Sequence, residues 1–297
     1  MNNNTISQSS VYFYGLYFHC FTLFLKNLVS ICFLFCLTSC YNQETLVDKS
    51  KLMGNDYRLF QSTKAWTLAK AVEEGDVTKI KEEVIQKKVD VDFQETQYGQ
   101  TLLMLAITNS EYDTVKMLLE LGANPNLHDN FKGQTPIIVA AKNDDPKYLK
   151  LLLDYKGDPN SIENVFSGPN LRINSERNSA LTAAISPSMF GKKNLEKVKL
   201  LVDAGADIHY TKKGIIQTAF GEALILEQMD VALYLVEKGA DYTKPITLFV
   251  GGSEDVSVLY LLRSTVTELD SYQSQKKMEL IAFLKSKGLD YDKEPVR

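Results

Sequence analysis

His128 and His209 are the only imidazoles past residue 40, and so the only candidates there for proton transfer near neutral pH or a nitrogen-ligated metal. Neither has a second His one helical turn away, and a metal site needs several converging ligands. His128 precedes Asp129, an order that could orient an imidazole, but both stand in a stretch whose letters recur as a loop. Asp90 and Asp92 could share general acid and base work. The alternation Val89-Asp90-Val91-Asp92 instead predicts a short hairpin arm with the valines turned inward. Gly251-Gly252-Ser253 before an apolar run could cradle an anion. Glu254 and Asp255 would then stand in the first helical turn, complement its dipole and repel phosphate, which predicts Ser253 as a plain N-cap. No Gly-x-Ser-x-Gly, His-Glu-x-x-His or phosphate loop occurs. The chain is expected not to be an enzyme, and neither a cofactor nor a metal is expected.

The four cysteines, Cys20, Cys32, Cys36 and Cys40, all precede residue 41. Leu37-Thr38-Ser39-Cys40 closes an apolar run that follows Lys26, and it resembles the lipobox of bacterial lipoprotein signals. The resemblance implies that residues 1–39 are an export signal removed before Cys40, and that Cys40 carries lipid such as palmitate and holds the chain to a membrane. The physics agrees: Lys26 supplies a positive n-region, residues 28–37 a short apolar core, and small residues precede the cut. Residues 1–25 contain no charged side chain and read poorly as an n-region. Translation starting at position 25 from an alternative codon would give an ordinary signal. A membrane-spanning helix over about 11–37 would place Lys26 mid-span, at a cost of roughly 2.5–3.5 kcal/mol. Cleavage would leave no thiol free for a disulfide or thiolate metal site, which suits an oxidising compartment. Position 41 is Tyr rather than Asp, which by resemblance to enterobacterial sorting implies the periplasmic face of the outer membrane.

Removing residues 1–39 removes one base and no acid, taking the net charge from −4 to −5. That balance argues against nucleic acid, which needs clustered Lys and Arg to displace counterions. Residues 40–63 are polar and weakly periodic and read as a flexible tether.

From about residue 65 to 291 the chain repeats itself. Gly99-Gln100-Thr101-Leu102-Leu103-Met104-Leu105-Ala106 returns as Gly133-Gln134-Thr135-Pro136-Ile137-Ile138-Val139-Ala140. Val115-Lys116-Met117-Leu118-Leu119 with Gly122-Ala123-Asn124 returns as Val198-Lys199-Leu200-Leu201-Val202 with Gly205-Ala206-Asp207, and as Ala232-Leu233-Tyr234-Leu235-Val236 with Gly239-Ala240-Asp241. This resembles the ankyrin repeat. The resemblance implies an all-α solenoid of about five to six helix-turn-helix units with short hairpin loops, here a domain over 64–293. The letters have mechanical work of their own. Thr caps the first helix, and Pro136 just inside it sacrifices no hydrogen bond. Ala106, Ala140, Ala184 and Ala223 are expected to be buried where helices pack closely. Gly122, Gly205 and Gly239 are expected to end second helices in the left-handed region. Lys156 stands where the third unit should have its Gly, so that turn is expected to be shifted or strained.

Spacings of the small residues locate two insertions. Ala71 to Ala106 is 35 and Ala106 to Ala140 is 34, but Ala140 to Ala184 is 44 and Ala184 to Ala223 is 39. The extra residues are placed near 161–178 and 187–194. A sixth, degenerate unit fits 253–291 as a cap.

Function is then expected from a surface. Repeat solenoids offer a concave one built of hairpin tips and first helices. Tyr98, Asn130, Phe131, Lys132, Tyr210 and Lys212 sit at predicted tips, and the first insertion adds Phe166 and Arg172. Aromatic residues and Arg are the types enriched in interface hot spots. The expected partner is another protein, bound by a monomer. Lipobox plus solenoid implies, by resemblance, an immunity protein that inhibits a periplasm-acting toxin. The alternative is an envelope scaffold that organises other enzymes.

Overall fold

The computed structural model describes residues 45–164, 177–185, 194–211, 217–249, 253–265, 267–268, 271–289 and 291–292. Cys40, Phe166, Arg172 and Lys212 lie outside them, as do most of both insertions. The unit from Asp48 onward is built of helix pairs: α1 (Trp66–Glu73) with α2 (Val77–Lys81), α3 (Leu102–Thr108) with α4 (Tyr112–Glu120), α5 (Pro136–Lys142) with α6 (Pro146–Asp154), α7 (Ala180–Ile185) with α8 (Asn194–Asp203), α9 (Ala219–Ile225) with α10 (Met229–Glu237), and α11 (Val258–Ser264) with α12 (Tyr272–Ser286). First helices stack on first helices from α1 to α11, and second helices on second helices from α4 to α12.

Each first helix is too short to persist alone, and all but α1, which follows Ala65, begin at a side-chain cap. Thr101, Thr135 and Thr218 accept the amide three residues on, from Met104, Ile138 and Gly221. Ser179 and Ser257 do the same for Thr182 and Tyr260. Each such cap is worth about 1 kcal/mol. Ala106, Ala140, Ala184 and Ala223 are fully buried. At the far end of the units Gly122, Gly205, Gly239 and Gly288 have φ of +93° to +99°. Lys156 takes the same left-handed place with φ +66°, a conformation in which its Cβ is crowded. Lys88 does so in the first unit at φ +56°, after a π-turn over Glu82–Gln86 that extends α2.

Lys197 stands eight residues before a helix-ending position, as do Thr114, Tyr148 and Val231. It is 1% exposed. Its ammonium donates to Ala141 O at 2.8 Å and Asn143 O at 3.2 Å, closing the carbonyl end of α5 in the preceding unit. Burial brings its pKa down to about 8, with Asp144 opposing the fall.

Three expectations need correction. Residues 48–63 are not a free tether. Short 3-10 turns occupy Lys49–Lys51 and Tyr57–Phe60, and Tyr57, Leu59 and Phe60 are buried in the core. Ser253 does not cap a helix but opens β2 (Ser253–Val256), which pairs antiparallel with β1 (Ile246–Phe249). Ser257 is the cap instead. Buried Ile246 and Val256 face each other in that ladder, and the Asp255 carboxylate accepts from Thr247 Oγ1 rather than joining a helix. Residues 89–92 form a turn, not an extended arm, although Val89 and Val91 do pack on the core.

Candidate functional site

The loops after the second helices are tied to one another by a polar ladder. In each loop an Asp or Asn accepts the amide two residues on: Asp90 from Asp92, Asn124 from Asn126, Asp158 from Asn160, Asp207 from His209 and Asp241 from Thr243. Such a turn aims the second side chain at the next unit. Asp92 Oδ1 accepts the Asn124 amide at 2.8 Å, Asn126 Oδ1 the Asp158 amide at 2.7 Å, and Asn160 Oδ1 the Asp207 amide at 2.7 Å. Asn126 and Asn160 also donate to Lys156 O and Gly205 O. Hydrogen bonds that span units make neighbours align.

A second series holds the hairpins. Glu95, Asp129 and Glu163 are buried and stand 34 residues apart. Glu95 accepts amides of Gln97, Tyr98 and Gln100; Asp129 accepts those of Phe131, Lys132 and Gly133. The hairpins then bond to each other. The Asn130 amide donates to Tyr98 O and the Asn164 amide to Gly133 O. Gly133 has φ +63°, and a Cβ on it would fall inside the backbone of Asn164, so the close approach requires glycine. Gln94 Nε2 reaches His128 O at 2.7 Å, and His128 Nε2 lies 3.1 Å from Ile162 O. A carbonyl only accepts, so that nitrogen carries the proton. His128 is thus engaged in joining hairpins, and Asp129 in closing its own.

Glu163 differs from its two counterparts because the hairpin it closes is longer. Ordinary hairpins run five residues between paired ends, Glu95 to Gln100 and Asp129 to Gln134; here Glu163 N donates to Asn178 O, fifteen residues on. The ten extra residues account for the whole 44-residue spacing. Glu163 accepts from Lys142 Nζ at 2.8 Å, Gln134 Nε2 at 2.7 Å and both nitrogens of Asn178. Burial opposes its charge, but these donors hold the carboxyl below its ordinary range. The roots of the insertion are therefore fixed.

Four of the predicted surface residues come together. The Tyr98 and Phe131 rings meet edge-on with centroids 5.2 Å apart. The Lys132 ammonium lies 5.9 Å from the Phe131 ring centre, and exposed Asn130 is joined through its backbone to Tyr98. Phe131 is 51% exposed. Tyr98 is half-buried and its hydroxyl donates to Leu52 O at 3.1 Å. Tyr210 is elsewhere. Its hydroxyl donates to Arg177 O at the root of the insertion, and its ring lines a cleft of about 230 Å³ with Pro159, Ile162 and Leu181. The buried acids were missed by sequence reasoning, although an acid recurring every 34 residues was a visible signal. Among the described residues no group of three or more His, Cys, Asp or Glu could hold a metal, and no helix is long and apolar enough to cross a membrane.

The chain matches the family described as "Ankyrin repeats (3 copies)" over residues 37–129, 68–163 and 121–212. No curated protein matches it. Among solved structures it is similar to the ankyrin repeat domain of Bcl-3, described as a unique member of the IkappaB protein family. The TM-score is 0.52 at 22% identity, over 75% of this chain and 86% of that one. At that identity the likeness concerns the fold alone. The family match extends over more than half of the sequence and coincides with the capped, glycine-ended helix pairs described above: the chain belongs to the ankyrin-repeat family.

Proposed function

We propose that this chain is a non-enzymatic protein-binding module, held to a bacterial envelope through lipid on Cys40, and that it protects its cell by occluding a toxin that acts in the periplasm. The observation that carries the binding reading is the pair Tyr98 and Phe131, braced edge-on at adjoining hairpin tips with Lys132 beside it. A half-exposed aromatic already fixed by a neighbour loses little rotamer entropy on docking, which is the property of a hot spot. The anchoring rests on the Leu37-Thr38-Ser39-Cys40 pattern. Family membership supports protein binding. The immunity role adds the lipobox pattern to it.

Deletion of the gene tests the proposal in competition with sibling cells. Loss of fitness is expected, restored by the intact gene but not by Phe131→Ala with Tyr98→Ala, while the variant stays in the membrane fraction. Cys40→Ala is expected to leave that fraction. A deletion strain that competes as well as its parent overturns the immunity role, and a membrane-bound Cys40→Ala overturns the anchor.

A further inference from the structure

Residues 52–57 cross the first helix of the second unit from end to end. The Tyr98 hydroxyl, before α3, donates to Leu52 O. Gly54 lies against the Gln100 side chain. Beyond the other end of α3, Asn55 and Asn109 exchange two hydrogen bonds, 3.2 Å and 3.1 Å. The Tyr57 hydroxyl donates to Glu111 at 2.7 Å. Leu105 stands between Gln100 and Asn109 along the chain, one helical turn before Asn109 on the same side of α3. A chain touching the outer two passes over the middle one. Leu105 is fully buried, and Ala183 and Leu261, four residues past their own Ser caps, are buried too, whereas Val139 and Glu222, four residues past their Thr caps, are half-exposed.

The attachment is uneven along the segment. Tyr57, Leu59 and Phe60 are buried, but Met53 is 75% exposed and the Asn55 to Asn109 bonds are at the surface. The crossing part is held by polar contacts that water can replace. The firm part begins where the crossing ends.

We propose that residues 48–57 are a strap that occupies, in cis, the first part of the hairpin-and-first-helix face, so that a partner's extended segment can lie on α3 only when the strap lifts about Tyr57. The biological meaning rests on the protein-binding reading of that face; the strap itself can be tested with no partner present.

The test is maleimide labelling of Leu105→Cys in the full chain, read at residue 105 by peptide mass, with Val139→Cys as the open comparison. Leu105→Cys is expected to label far more slowly than Val139→Cys. Asn55→Ala with Tyr57→Phe should speed it about tenfold, from the loss of two hydrogen bonds, and leave Val139→Cys unchanged. A synthetic peptide of residues 48–60 added in trans should slow it again. Equal labelling at both positions in the otherwise unaltered chain overturns the proposal, as does a rate at 105 that the strap variant leaves unmoved. Faster labelling at both positions makes the segment part of the fold rather than a movable occupant, and overturns it too. Should Leu105→Cys fail to fold, amide exchange decides: in the strap variant residues 52–57 are expected to exchange faster while α1 does not, and joint acceleration overturns the proposal.

Discussion

Lys156 holds a glycine's conformation with a side chain attached. Its φ of +66° costs an L-residue about 1–2 kcal/mol, part of which glycine forfeits through its freer unfolded chain. Lys156→Gly is expected to raise the unfolding free energy by roughly 0.5–1 kcal/mol, seen as a higher urea midpoint. This substitution was legible in the sequence, since Lys156 occupies a place that is Gly in four other units. Lys197 was not. Between Glu196 and Lys199 it reads as another solvated charge, and only the carbonyl end of α5, more than fifty residues away, makes its site interior. Its folded pKa of about 8 lies below the ordinary unfolded value near 10.4. Between those values the unfolded chain binds more protons, so stability rises with pH across that window and is flat in this respect below it. Compared with Lys197→Met, the intact chain is expected to gain about 2 kcal/mol between pH 7.5 and 10, measured by paired denaturant melts. A difference that stays constant over that range would mean that the ammonium is not desolvated.

At the scale of elements, the loops carry more information than the helices. The helix pairs were legible because apolar spacing, Thr caps and terminal Gly agree. The size of the first insertion was also legible, because spacing alone gives ten extra residues, and the long hairpin closed by Glu163 contains them all. The strap was not. Residues 48–60 mix Asp, Asn and Arg with apolar letters in no helical period, because 3-10 turns follow a different one, and the surface they cover lies about 54 residues downstream. Ser253 misled for a similar reason: its acidic followers suit a helix start, whereas the pairing of Ile246 with Val256 makes a strand. The inter-unit rungs give the element-scale prediction. Asn126→Ala removes a carbonyl acceptor and an amide donor together and should cost about 1–2 kcal/mol. Two loops further on, after Asn160, the rung position is His209, and among the described residues its side chain makes no such bond. His209→Asn is expected to stabilise by about 0.5–1 kcal/mol, read as a raised thermal midpoint.

For the whole molecule, stability in a stack is a sum of units and of joints between neighbours. Three rungs bind the early and middle loops, and the series stops at His209. Amide exchange should therefore be fastest in α9 to α12 and slowest in α3 to α6, a gradient that mass spectrometry can read along the chain. Exchange that is uniform across the stack would show that the core helices alone set cooperativity.

Each rung also has a reproductive consequence. A unit that offers an Asn to the next loop and an amide to the previous one carries both halves of its own joint, so a tandem copy of residues 126–159 would meet its twin with the contacts already in place. Lengthening there by duplication asks for no compensating change. A copy that began at His209 would arrive without its tie, and would need a second mutation before it could be kept.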